Sequence, residues 1–156
     1  MKKQFYFLIL LSAFITSCEK DDFCIEPITP NLIIRFYDAT TTSDFKSVSE
    51  LYVWPDGRDS VIVNQITDSI TIPLDVNNNQ TIYKLSTGNV ENQLTITYDI
   101  EQVFVSRSCG YKAIFNNVTV TSDNIWIQSL SSDSVTTTAN ITTINDESAA
   151  HVQVYH

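Results

Sequence analysis

Side chains that could carry catalysis or hold a metal ion are scarce in this sequence. The only histidines are His151 and His156. Residues five apart on a strand face opposite sides, so this pair cannot share a metal ion without a turn between them. We expect both histidines to be frayed and solvated near the C-terminus.

No arrangement of residues matches a known catalytic motif. The Gly-x-Ser-x-Gly, His-Glu-x-x-His, phosphate-loop and dinucleotide-binding patterns are all absent. Asp75-x-Asn77-x-Asn79 begins like a calcium loop, but Gln80 and Ser86 replace the glycine and the bidentate glutamate that such a loop needs. The sequence therefore predicts a protein that is not an enzyme and that holds no metal or other cofactor.

The N-terminal residues have the pattern of an export signal. After Met1-Lys2-Lys3, an apolar run over residues 5–15 is shorter than the roughly 20 residues that a membrane-spanning helix needs. Ile15-Thr16-Ser17-Cys18 then matches the lipobox of bacterial lipoproteins, in which the chain is cut before the cysteine and its thiol is acylated. We expect residues 1–17 to be a signal peptide and Cys18 to carry lipid. The alternative is an ordinary secretory signal with a chance cysteine.

The residues after Cys18 indicate where the protein is held. Cys18-Glu19-Lys20-Asp21-Asp22 resembles the Lys-acidic-acidic surface-export signal of Bacteroidota lipoproteins. We expect an outer-membrane protein anchored by lipid at the cell surface, with the periplasmic leaflet as the alternative. Residues 18–30 would form the anchor and tether, since two or three acyl chains hold a protein firmly at a membrane.

Cys24 and Cys109 remain once Cys18 is lipidated. An even pair in an oxidising compartment predicts a disulfide, which would close a long loop and contribute about 4 kcal/mol on the chain-entropy model. Two buried free thiols or a metal site are the alternatives. The metal site lacks support, because the sequence has no Cys-x-x-Cys and no histidine near either cysteine.

The charge of the mature chain excludes two classes of partner. Removing residues 1–17 takes away Lys2 and Lys3 and no acid, so 9 basic residues become 7 against 18 acidic residues, a net charge of −11. Nucleic acids and anionic headgroups are bound through lysine and arginine, so an acidic surface of this kind repels them. We expect no nucleic-acid partner.

Alternation of apolar and polar residues predicts strands throughout residues 31–156, which we expect to be a single domain. The clearest run is Leu94–Ile100, and the phase slip before Val103 predicts a bulge near Glu101-Gln102. Strands at short, regular spacing with one buried face must stack two sheets or close a barrel. We predict a small antiparallel β-sandwich of Ig-like type, with a barrel as the alternative. The other predicted strands are Leu32–Tyr37, Val48–Trp54, Ser60–Gln65, Ser69–Leu74, Thr81–Leu85, Ala113–Thr121, Ile125–Leu130, Thr138–Ile144 and Val152–Tyr155.

Two segments resemble an uncharacterised family of small Bacteroidota lipoproteins. They are Ser106-Arg107-Ser108-Cys109-Gly110-Tyr111-Lys112, a Ser-Arg-x-Cys-Gly-aromatic-Lys stretch after a long strand, and the beginning Cys18 to Cys24. The resemblance supports the lipid anchor, the Cys24–Cys109 pairing and a β-rich domain. The function of this family is unknown. The resemblance implies an association with outer-membrane β-barrel proteins as partners.

A few surface residues are candidates for binding or modification. Trp54 lies beside the Pro55-Asp56-Gly57 turn and could stack on a sugar ring. Arg107 and Lys112 are scarce cations that pair with tether acids or bind a ligand. Candidate O-glycosylation sites, each in an Asp-Ser-aliphatic sequence that is also ordinary turn chemistry, are Ser60, Ser69 and Ser134.

Two functions follow as hypotheses. The first is a non-catalytic interaction module, an accessory subunit docked on an outer-membrane protein complex for assembly or uptake. The second is a glycan-binding surface lipoprotein that uses Trp54. A large apolar patch without a groove would favour the first, while a shallow cleft with tryptophan, asparagine and aspartate would favour the second.

Overall fold

Nine strands build the part of the chain that the computed structural model describes, residues 23–26, 28–130 and 137–156. Within these residues no helix has the length and apolar character needed to cross a bilayer. The strands are β1 Leu32–Tyr37, β2 Val48–Pro55, β3 Ile62–Thr67, β4 Ser69–Ile72, β5 Gln80–Thr87, β6 Val90–Ser106, β7 Gly110–Ser122, β8 Thr138–Ile144 and β9 Val152–Tyr155.

The strands form two sheets that stack on each other. The larger has the order β3-β2-β5-β6-β7-β8 and the smaller β4-β1-β9. All paired strands are antiparallel except β1 and β9, which are parallel. Phe36 from the small sheet and Tyr83 and Phe115 from the large sheet lie in one core between them. The predicted β-sandwich is confirmed, because the sheets stay separate and do not close on each other.

Period-two alternation accounts for most strands, as in β1, where Leu32, Ile34 and Phe36 are completely buried.

The predicted bulge near Glu101-Gln102 is wrong in position, since β6 pairs with β7 without a break from Asp99 to Phe104. The register shifts between Thr97 and Asp99, where Asn117 on β7 has a φ of 51°. Asparagine tolerates this left-handed conformation better than most residues, so the extra residue lies on the partner strand.

The predicted strand Ile125–Leu130 is also wrong. The side-chain oxygen of buried Asn92 accepts hydrogen bonds from the backbone N–H groups of Ile125, Trp126 and Ile127, at 2.9, 3.2 and 3.2 Å. Three consecutive N–H groups that converge on one atom cannot point alternately to two neighbouring strands, as a ladder requires. Farther on, the N–H groups of Gln128 and Ser129 donate to the carbonyl of Tyr155, and Ser129 and Tyr155 form an isolated bridge instead of a strand pairing.

The expectation of solvated histidines fails because both lie beside β9 and are bonded to the sandwich. His151 Nδ1 accepts a hydrogen bond from the backbone N–H of Ile33 at 3.0 Å. The His156 ring packs edge-on against Phe36 and Trp126, with centroid separations of 6.0 and 5.6 Å. The parallel pairing of β9 with β1, which sequence patterns do not reveal, brings the C-terminal residues into the core.

The predicted disulfide between Cys24 and Cys109 is present. Cys109 lies in the turn between β6 and β7, where Gly110 has a φ of 71°, a conformation that favours glycine. Farther along the tether, the hydroxyl of Thr29 accepts a hydrogen bond from the backbone N–H of Ala113 at 2.9 Å. The tether therefore lies along the β6–β7 hairpin before it enters β1.

Candidate functional site

Trp54 lines an open cleft of about 1350 Å³ among the described residues. One wall is the β2–β3 turn, residues 55–61, and the other is the β4–β5 connection, residues 73–77. The first residues of β5, from Gln80 to Lys84, lie between the walls. We call this concavity the Trp54 cleft.

The first wall is fixed by its turn chemistry. The N–H of Arg58 donates to the carbonyl of Pro55 at 3.1 Å, and Gly57 has a φ of 72°. Such a four-residue turn needs a positive φ at its third position, which glycine supplies without strain. The N–H of Asp56 donates to Ile82 of β5 at 2.9 Å, which ties the turn to the cleft floor.

The second wall is supported from below by buried tyrosines. The hydroxyl of Tyr83 donates to the carbonyl of Pro73 at 2.6 Å, and that of Tyr98 donates to the carbonyl of Asp75 at 2.8 Å. The Thr81 hydroxyl lies 2.5 Å from that of Tyr98 and accepts from the N–H of Asp75. Burial raises the pKa of Tyr83 to about 12 and also raises that of Tyr98. Both phenols therefore stay protonated and keep donating to the wall.

Trp54 itself has no competing partner. It lies near the end of β2 opposite Lys84, half-buried, on the face of the sheet that points away from the core. Within the described part of the chain its indole N–H makes no hydrogen bond and its ring has no aromatic neighbour. Lys84 is held by Glu91 at 3.0 Å, an interaction that raises the lysine pKa. The indole is thus free to stack and to donate.

The polar groups of the cleft offer both donors and acceptors. Hydrogen bonds from Asn78 and then Asn77 lower the pKa of Asp75, so this carboxylate is ionised near neutral pH. Asp56 and Asp59 add two more carboxyl groups, while Arg58 and Lys84 supply cations. Hydroxyl groups of a ligand could be both donors and acceptors here, and the three carboxylates outnumber the two cations.

The three serines proposed for glycosylation differ in their surroundings. Ser60 is exposed in the β2–β3 turn. Ser69 begins β4, and its half-buried hydroxyl donates to the carbonyl of Ile34 at 3.3 Å. Ser134 lies outside the described residues. Glycosylation stays a prediction, and Ser60 is the serine with the most accessible hydroxyl among the two that are described.

The cations and cysteines singled out from the sequence lie away from Trp54. Arg107 is exposed in the β6–β7 turn, and Lys112 follows on β7, with its Nζ 3.3 Å from the carbonyl of Asn145. Neither forms an ion pair within the described residues. Cys24 and Cys109 lie at the same turn, whereas Cys18 falls outside the described residues.

A protein-family comparison decides the relationship of the chain. Residues 50–156, more than half of it, match the model of a family of unknown function, DUF6452. The chain belongs to the DUF6452 family. The DUF6452 match contains Trp54, the whole cleft and Cys109, while Cys18 and Cys24 precede it. The resemblance to an uncharacterised family is confirmed to this extent, and lipidation and the bacterial group stay predictions. No curated protein and no solved structure matches the chain.

Sequence reasoning identified Trp54 but missed its surroundings. Tyr83 and Tyr98 carry no motif, and their role depends on strand register, which pairs β5 with β6 and places both hydroxyls under the second wall. Asp75 and Asn77 begin like a calcium loop, but an ordinary asparagine turn is the better prediction for them, and the N–H of Asn77 donates to the Asp75 carboxylate in such a turn at 2.8 Å. Among the described residues no group of three or more histidine, cysteine, aspartate or glutamate side chains could hold a metal ion.

Proposed function

We propose that this protein is a lipid-anchored, non-catalytic surface module of the outer membrane that binds neutral oligosaccharides in the Trp54 cleft. The observation that carries the proposal is a half-buried tryptophan that has no hydrogen-bond or ring partner among the described residues and lines an open cleft with carboxylates on both walls. Between the two hypotheses, a cleft of this kind favours glycan binding.

The size of the cleft supports an extended ligand. Pockets for small molecules have volumes of roughly 300–1,000 Å³. The Trp54 cleft, with a volume of about 1350 Å³ and an open mouth, suits a chain of several sugar units. An indole face can cover the C–H surface of one ring, while the carboxylates and Arg58 hydrogen-bond its hydroxyl groups.

Charge selects against acidic glycans. Three aspartates and two cations line the cleft, and the mature chain has an excess of acids. A sulfated or uronic-acid polymer would meet repulsion from Asp56, Asp59 and Asp75. Neutral oligosaccharides meet no electrostatic repulsion of this kind, and they are therefore the proposed ligand class.

One carboxylate of the cleft, Asp75, is unsuited to the acid step of glycoside hydrolysis. Glycoside hydrolysis needs a carboxylic acid with a raised pKa that protonates the leaving oxygen. Asp75 has a lowered pKa, because Asn78 and Asn77 stabilise its ionised form, so it cannot be that acid near neutral pH. We therefore propose a binding role with no bond cleavage.

The test is a binding assay of the full-length protein, solubilised in detergent, against a panel of neutral and acidic oligosaccharides. Trp54→Ala should weaken binding of a neutral oligosaccharide about tenfold, since aromatic stacking contributes roughly 0.5–1.5 kcal/mol beyond buried area. The matched control is Tyr52→Ala, which removes an aromatic ring from the same face of β2 outside the cleft. Equal binding by Trp54→Ala and the unmodified protein, or no binding to any neutral glycan, would contradict the proposal.

The second candidate is an accessory subunit of an outer-membrane protein complex, for assembly or uptake. The edge strand β3 favours it, because Val61, Val63 and Ile66 in and beside this strand are 47%, 59% and 77% exposed. An antibody against the native protein should then recover an outer-membrane β-barrel partner in equal amount, and Val63→Lys with Ile66→Lys should abolish recovery. Recovery of this protein alone would exclude a stable subunit.

A further inference from the structure

The β6–β7 hairpin extends beyond its neighbouring strands. Pairing with β5 ends where Gln80 meets Thr97, and pairing with β8 ends where Ile144 meets Phe115. Beyond these positions, residues 101–114 form a two-stranded ribbon with the tether alongside it. At about 3.3 Å per residue, the six steps from Ile100 to Ser106 give the ribbon a length of roughly 20 Å.

Apolar side chains are exposed at the tip of this ribbon. Phe104 and Tyr111 face each other across the hairpin with ring centroids 5.4 Å apart, yet they are 56% and 68% exposed. Phe23 and Ile25 flank the disulfide to Cys109 and are 81% and 89% exposed. We call Phe23, Ile25, Phe104 and Tyr111 the tip patch. Four large apolar side chains so close to one disulfide need a cover that the described residues do not supply.

The tip patch is covalently close to the predicted lipid. Cys24 is the sixth residue after Cys18, and a fully extended chain over these six steps spans at most about 20 Å. Because Cys24 is bonded to Cys109, acyl chains on Cys18 would keep the ribbon tip within about that distance of the bilayer surface. This confinement raises the effective concentration of the patch at the membrane without any further contact.

The residue types fit a lipid interface. Amphipathic aromatic rings concentrate at the headgroup level of membranes, and Tyr111 combines such a ring with a hydroxyl group. Arg107 and Lys112 lie on the same ribbon without an ion-pair partner among the described residues. The long side chain of Arg107, exposed in the turn, can reach headgroup phosphates while the rings enter the acyl boundary. The ribbon is thus locally suited to a membrane although the whole chain is acidic.

We infer that the tip patch inserts into the headgroup–acyl boundary of the membrane and that the ribbon holds the sandwich at a set height above it. The inference rests on the lipid anchor of the proposed function. It goes beyond that function, because an anchor alone would leave the domain free to take any orientation. The partner of this surface is lipid, and a protein cover is an alternative that the experiment separates.

The experiment uses the full-length lipidated protein in liposomes of phosphatidylethanolamine and phosphatidylglycerol that contain a brominated phosphatidylcholine. Phe104→Trp adds a fluorophore to the tip patch, and bromine quenches a tryptophan that enters the acyl boundary. The control is Phe45→Trp, since Phe45 is exposed to the same extent, 57%, but lies before β2. The unmodified protein supplies the background from Trp54 and Trp126.

The expected result is an approximately twofold loss of the added emission for Phe104→Trp and none for Phe45→Trp, as for a side chain about 5–10 Å inside the interface. No quenching of Phe104→Trp in protein that has the lipid mass and sediments with liposomes overturns the tip patch and leaves the anchor intact. Protein that lacks the lipid mass overturns both. Equal quenching at the two positions would mean that the domain lies flat, which also contradicts the inference.

Discussion

The two tryptophans, Trp54 and Trp126, differ in the contacts that their side chains make with the rest of the fold. Trp126 donates its indole N–H to the carbonyl of Leu85 at 3.1 Å and packs near Phe36, while its backbone N–H depends on Asn92. Trp54 is paired with Lys84 of β5, and no described residue forms a hydrogen bond or ring contact with its side chain. In buried irregular segments, side chains must form hydrogen bonds with the backbone N–H and C=O groups. In paired strands the neighbouring strand satisfies these groups, so a large side chain is available for a ligand.

The strongest test of this difference is Asn92→Ala. The change removes the acceptor of three buried N–H groups and leaves a small cavity, so the free energy of unfolding should fall by about 4 kcal/mol. Urea denaturation measures it. Asn89→Ala, in the exposed turn between β5 and β6, should change stability by no more than about 0.5 kcal/mol. A loss below about 1 kcal/mol for Asn92→Ala would show that water replaces the amide.

Truncation of each tryptophan compares the two regions directly. Trp126→Ala should lower the free energy of unfolding by about 3 kcal/mol, because packing and the bond to Leu85 are lost together. Trp54→Ala should cost less than about 1 kcal/mol, because no partner is left unsatisfied. Denaturation curves of the two variants, recorded side by side, decide between this order and equal losses, which would contradict the assignment of Trp54 to binding.

A smaller effect is expected below the cleft wall. Tyr98→Phe removes the donor to the carbonyl of Asp75 and the acceptor for Thr81, with a cost of about 1 kcal/mol. Because Thr81 would then turn freely, hydrogen exchange at the Asp75 amide, which donates to Thr81, should become faster. Unchanged exchange in Tyr98→Phe would mean that the wall is rigid without its tyrosine support.

The smallest expected effect is a pH dependence of stability that arises from His156, beside Trp126. Burial lowers the pKa of His156 from its ordinary 6.5; the hydrogen bond with the Lys46 backbone and the Asp38 charge act to raise this pKa, and the Lys46 charge acts to lower it. As the pH falls through 6.5, the unfolded chain takes up a proton that the folded protein resists, so stability is lost until the folded pKa is passed. His156→Gln should have a shallower decline of unfolding free energy over this range. Identical slopes, measured by urea denaturation at several pH values, would contradict it.

Sequence patterns predicted the sandwich because most strands have one buried face, and alternation records that directly, as in β1. They failed at Ile125–Leu130, where Asn92, 33 residues earlier in the chain, accepts the hydrogen bonds of an apolar segment. They also failed for His151 and His156, whose environment depends on a parallel pairing between the first and last strands. Long-range pairing of this kind leaves no local signal.

The candidate site was predictable only in part. Trp54 stood out as a large aromatic beside a Pro-Asp-Gly turn, and the Cys24–Cys109 bond followed from compartment and cysteine number. The second wall of the cleft could not be foreseen, because it depends on which tyrosines the register places beneath Pro73 and Asp75. Burial and strand register decide these contacts, and both depend on the packing of the whole folded chain instead of on local sequence.

The bond between Cys24 and Cys109 also decides how the protein bears mechanical load. A pull on residues before Cys24 passes through the disulfide into the β6–β7 turn and bypasses the stretch that leads to β1. The force then acts along two long strands whose hydrogen bonds to β5 and β8 lie across it and must break together in shear. Drag on the domain is therefore resisted by the middle of the large sheet, and reduction of the disulfide would move the load to β1, the central strand of the small sheet.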